Sequence, residues 1–96
     1  MDYKTAENGM RAGGVIRRWA WGEGREAYYD IDGDGVPDAL VPSYSLSRVA
    51  ALKEYNDFVS KICIRTAGVV EVGTYITHGD TLAQDWIIVS PPFSIK

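Results

Sequence analysis

The chain has 96 residues, a net charge of −3 and one cysteine, so it is expected to form a single domain with a modest core. The slight acidity and the lack of a basic run argue against DNA or RNA binding through backbone electrostatics. A lone cysteine excludes an internal disulfide framework, and no stretch has the length and apolarity of a membrane span.

The opening MDYKTAENGM lacks the basic start and apolar run of a secretory leader, so the cytoplasm is the expected compartment. Residues 2–13 read as a short helix, with Asp2 as N-cap, Tyr3, Ala6 and Met10 at helical spacing, and Gly13-Gly14 as the stop. Glu7, Asn8 and Gly9 make it a weak helix that tertiary contacts must hold.

VIRRWAW, residues 15–21, reads as a strand that the turn GEG follows. On a strand, Arg17, Trp19 and Trp21 share one face, and Ile16, Arg18 and Ala20 the other. Planar aromatic faces beside an arginine suit a nucleobase and a phosphate; the plainer reading makes both tryptophans core.

DIDGDGVPDAL, residues 30–40, spaces aspartates as a calcium loop does. With Asp30 as position 1, Asp32 and Asp34 are at 3 and 5, Gly35 at 6, the Val36 carbonyl at 7 and Asp38 at 9. Position 12, which asks for a bidentate glutamate, holds Val41. The alternative is a plain acidic β-hairpin over about 26–42, with EAYYDI and DALV as its arms, DGDG as its turn and Pro42 as its end. On the first reading a calcium ion would be held at Asp30, Asp32, Asp34 and Asp38.

Residues 43–58 allow a helical turn or two on Val49, Leu52 and Tyr55, or an irregular excursion. SKICIRT and VVEVGTYI read as two strands about a tight Ala67-Gly68 turn. HGDTLAQ reads as a helical turn capped by Asp80, and DWIIVSPP as a last strand that its prolines stop. The expected class is α+β: an N-terminal helix on an antiparallel sheet of about five or six strands.

Catalysis is not expected. His78 is the only histidine and has no nucleophile suited to it, Cys63 sits in a strand interior, and the phosphate-cradling glycine patterns are missing.

Three segments carry a resemblance. Near the start, an aromatic, a helix, then Gly and Val-x-Arg-x-x-Trp are matched by Tyr3, Ala6, Met10, Gly13, Ile16, Arg18 and Trp21. A central Met-Lys-Thr-Ala-Asp-Gly pattern is similar to Ile64-Arg65-Thr66-Ala67-Gly68. A terminal Ser-x-x-Asp-x-Leu-Ala-x-Asp-Trp signature is matched by Thr77, Asp80, Leu82, Ala83, Asp85 and Trp86. In these segments the chain resembles the phage family of Thoeris anti-defence protein two. It departs in the acidic insertion before Val41-Pro42, in Glu7 where the family prefers leucine, and at Thr74 or Tyr75 where the family has a tryptophan.

The resemblance implies a non-enzymatic sponge, a homo-oligomer with a tetramer favoured, in the cytoplasm of the infected bacterial host. Its ligand would be a small cyclic nucleotide immune signal, glycocyclic ADP-ribose above all, with cyclic dinucleotides at a separate site in some relatives. It would need no cofactor. The residues carried over as ligand contacts are Tyr3, Arg18, Trp21, Thr66, Thr77 and Asp80. Plainer roles stand beside these: Thr77 and Asp80 as caps and Arg18 as an ion-pair partner, with Leu82 and Trp86 of the terminal signature as core.

Overall fold

The computed structural model describes residues 1–40, 47–73 and 76–90. Helix α1, Tyr3–Arg11, begins at Asp2, whose carboxylate accepts the Thr5 N–H at 2.9 Å. It ends as Gly13 turns to φ 100°, a conformation that costs a glycine little. Gly14 then brings the chain so close to its neighbours that an added Cβ would lie 2.8 Å from the Gly9 carbonyl oxygen and 3.1 Å from that of Ser90.

Five antiparallel strands follow: β1 Val15–Arg18, β2 Arg25–Tyr29, β3 Ile62–Thr66, β4 Val69–Val72 and β5 Trp86–Ser90, in spatial order β4-β3-β2-β1-β5. With the helices this is the expected α+β domain. The Ala67-Gly68 hairpin is present, both residues at positive φ as a two-residue turn between twisted strands requires. One face of the sheet carries the main core: Ala6 and Met10 of α1 meet Ile16, Ala27, Tyr29, Ile62, Ile64 and Trp86. A smaller cluster of Val15, Tyr28 and Cys63 lies on the opposite face.

Five expectations change. The strand expected over 15–21 stops at Arg18, and Trp19–Trp21 form a 3-10 turn. Asp85 causes the break: its backbone carbonyl accepts the Trp19 N–H at 2.8 Å and its carboxylate the Ala20 N–H at 3.0 Å. The strand alternation that grouped Trp19 with Trp21 therefore does not hold.

The acidic segment is a loop leaving β2, with no returning strand over the described residues 38–40. Both edges of β2 are already paired, to β1 and to β3, so no ladder remains for a second arm. A backbone bond from the Asp38 N–H to the Tyr29 carbonyl at 2.7 Å ties the far end of the loop back to β2. Val41 and Pro42, at the end of the expected hairpin, lie outside the described residues.

Helix α2, Arg48–Ser60, is longer than the turn or two expected, and Ser47 caps it by accepting the Ala50 N–H at 3.1 Å. Of the segment 43–58, residues 43–46 lie outside the described part. Helix α3, His78–Leu82, takes Thr77 as its N-cap rather than Asp80, which is the reciprocating third residue of a capping box. Leu82, considered for the core, is 66% exposed.

Candidate functional site

The carried-over residues gather around Trp86, which is fully buried. Its indole N–H donates to the Asp80 carbonyl oxygen at 2.8 Å. The Tyr3 ring lies against it at 5.1 Å, and the Trp21 ring meets it edge-on, also at 5.1 Å. Arg25 covers the Trp21 ring at 4.9 Å and reaches Thr66 Oγ1 at 3.5 Å, so Thr66 joins the cluster only at its margin.

Arg18 ties the two ends of the chain together. Its Nε lies 2.8 Å from Asp85 Oδ1 and its Nη1 2.9 Å from Asp80 Oδ1. The other Asp80 carboxylate oxygen accepts the Thr77 N–H at 3.0 Å, while Thr77 Oγ1 accepts the Asp80 N–H at 3.1 Å. Burial raises the Asp80 carboxyl, but hydrogen bonds from Thr77 and Arg18 outweigh it and hold the group below its ordinary value. Arg18 likewise lowers Asp85. Burial, then the Glu7 carboxylate, pushes the Tyr3 phenol far up. These side chains satisfy one another, and most of Arg18's donor fork is already engaged.

The residues that sequence matching did not carry over are Arg17, Trp19 and Glu23. Trp19 is 69% exposed, and the Arg17 guanidinium lies 5.5 Å from its ring centroid. A cleft of about 260 Å³ lined by Arg17, Glu23, Gly24, Glu26, Ile87 and Val89 opens on the sheet face away from α1. A smaller one of about 180 Å³ adjoins it between Arg17, Trp19, Gly22 and Glu23. The pairing of aromatic and arginine was legible in the sequence; which tryptophan remains outside the core was not.

The loop after β2 brings carboxylate oxygens of Asp30, Asp32, Asp34 and Asp38 within 4.8 Å of one another. Asp30 is buried and accepts the N–H groups of Gly33 and Gly35, each at 2.9 Å. Asp38 accepts the Ile31 N–H at 2.9 Å, and Asp34 that of Val36 at 3.0 Å. Burial raises the Asp30 carboxyl, but the Gly35 and Gly33 N–H bonds outweigh it and leave it lowered. Lost hydration and the neighbouring Asp34 and Asp38 push Asp32 up. Such crowded carboxylates have the chemistry of a hard-cation site.

Fold and site together define a small α+β domain with an aromatic and ion-pair knot at one end of the sheet and an acidic loop leaving its middle strand. No family model and no curated protein matches the chain. No helix among the described residues is long and apolar enough to cross a membrane.

Proposed function

We propose that this chain is a phage anti-defence protein that sequesters a cyclic nucleotide immune signal, glycocyclic ADP-ribose in particular, without cleaving it. One observation carries the reading. Two of the three segments that bear the family resemblance lie towards opposite ends of the chain, yet Tyr3, Arg18 and Trp21 meet Thr77, Asp80, Asp85 and Trp86 in one contiguous cluster. Residues matched separately along the sequence thus behave as one structural unit.

Sequestration asks only for affinity. A ligand of about 35 non-hydrogen atoms at about 0.3 kcal/mol each allows about 10 kcal/mol, a Kd in the tens of nanomolar. Neither cleft is large enough to enclose such a ligand, so its remaining wall would come from another copy. Exposed Val69, Val70 and Val72 on edge strand β4, with exposed Val49 and Leu52 on α2, support self-association, a tetramer in this reading. The site of action would be the cytoplasm of the infected bacterium.

The test is calorimetric titration with glycocyclic ADP-ribose, followed by heat denaturation and recovery of the ligand. Binding with intact ligand is expected. Degraded ligand would turn the reading towards an enzyme, and a monomer mass by light scattering at micromolar concentration would remove the shared pocket.

A second reading, favoured by the convergence of the four aspartates, is a calcium-stabilised structural or interaction module. Melting with calcium and with chelator separates the two. A large calcium shift with no nucleotide effect would leave the second reading alone.

A further inference from the structure

We infer that the cleft beside Trp19 and Arg17 is a contact surface for a nucleoside phosphate. The inference rests on the sequestration reading and assigns it residues outside the Trp86 cluster.

The backbone of Trp19 is held at both ends: its main-chain N–H donates to the Asp85 carbonyl at 2.8 Å and its carbonyl accepts the Gly22 N–H at 3.1 Å, while 69% of the residue faces solvent. An exposed indole on an anchored backbone offers a stacking surface to any nucleobase, because every base has a π-face.

Arg17 stands beside that ring and keeps most of its donors. Its Nη1 donates to the Arg18 carbonyl at 3.2 Å, and among the described residues it forms no ion pair. Arg18 and Arg65 are both committed, to Asp80 and Asp85 and to Glu26 respectively. A guanidinium with free N–H groups matches phosphate oxygens in a two-pronged geometry.

Glu23 completes the set. It lines both clefts, is exposed and is without an ion-pair partner among the described residues, whereas Glu26 is held by Arg65. A carboxylate lining the same clefts as Arg17 suits the hydroxyls of a ribose. Base, phosphate and sugar each find a chemically suited group around one cleft.

The experiment titrates glycocyclic ADP-ribose and ADP-ribose into the unaltered protein and into Trp19→Ala, Trp19→Tyr, Arg17→Ala and Glu23→Gln. Trp19→Ala is expected to weaken binding about tenfold to a hundredfold, and Trp19→Tyr to restore much of it. Arg17→Ala is expected to weaken binding comparably, and Glu23→Gln to do so to a smaller degree. Melting temperatures should stay close to that of the parent. Should Trp19→Ala not fold, Arg17→Ala decides. Parent-like affinity in Trp19→Ala and Arg17→Ala would overturn this assignment while leaving sequestration standing. If the unaltered protein binds neither nucleotide, both ideas fall together.

Discussion

Arg18 and Asp85 are separated by most of the chain, yet Nε of one lies 2.8 Å from Oδ1 of the other. The same aspartate holds the backbone N–H of Ala20. One residue thus ends strand β1 and shapes the turn after it, through its backbone carbonyl to Trp19 and its carboxylate to Ala20, and anchors the arginine that reaches across to Asp80.

That arrangement predicts the cost of losing Arg18. Arg18→Met would leave the buried Asp80 carboxylate without its cation and is expected to lower the stability of the fold. Denaturant melts measure it, and an unchanged midpoint would show that the knot contributes nothing.

The same pair sets an acid limit. Asp80 and Asp85 have folded-state pKa values below their ordinary ones, so the folded state binds fewer protons than the unfolded chain over that range. Their contribution is present above the ordinary carboxylate pKa and is lost as pH falls through the lowered values. Stability of the parent should therefore fall as pH drops below about 4, and Arg18→Met should flatten that fall. Parallel pH profiles for the two proteins would contradict the linkage.

Trp19 and Trp21 offer a paired comparison two residues apart. Trp21 is half-buried, edge-on to Trp86 and covered by Arg25, whereas Trp19 is exposed. Trp21→Ala is expected to cost about 2–3 kcal/mol, somewhat less than a fully buried tryptophan, and Trp19→Ala less than about 0.5 kcal/mol. Equal losses at both sites would mean that the turn does not separate their roles.

How far the sequence could be read follows from where each signal comes from. Helix α1 and the β3–β4 hairpin were legible because Asp2, Gly13 and Ala67-Gly68 act on their own neighbours. The end of β1 was not, because it is imposed from the far end of the chain by Asp85. The second arm of the acidic hairpin reads as a strand locally, but β2 has no free edge to receive it. Helix α2 was underestimated because Val49 and Leu52 are exposed and only its last turn, at Phe58 and Val59, packs on the core, so its apolar residues do not form one continuous stripe. In the candidate site, residue types suited to a nucleotide were visible. Which of two adjacent arginines and two nearby tryptophans stayed free depended on partners distant in sequence.

The hairpin turn carries a correctable strain. Ala67 sits at φ 50°, where its Cβ is unfavourable and asparagine is better tolerated. Ala67→Asn is expected to stabilise the fold by about 0.5–1 kcal/mol, read as a rise in Tm. A decrease would mean that the turn adopts another geometry in solution.

The acidic loop gives the prediction with opposite signs in two conditions. Without a cation, Asp32 is crowded by Asp34 and Asp38 and its pKa is raised, so the folded state takes up a proton more readily there than the unfolded chain does. Lowering the pH through that raised value should relieve the crowding, and Asp32→Asn should relieve it at neutral pH by removing one charge. In chelator, therefore, Asp32→Asn should melt above the parent. Under the calcium reading the order should reverse, because the parent would gain binding free energy that the variant has lost with its ligand. At a hundred times Kd that gain is about 2.7 kcal/mol. Melting both proteins in chelator and in calcium reads the crossing directly. If calcium shifts neither protein, the four aspartates are simply an acidic loop. If it shifts both equally, the ion is held somewhere other than at Asp32.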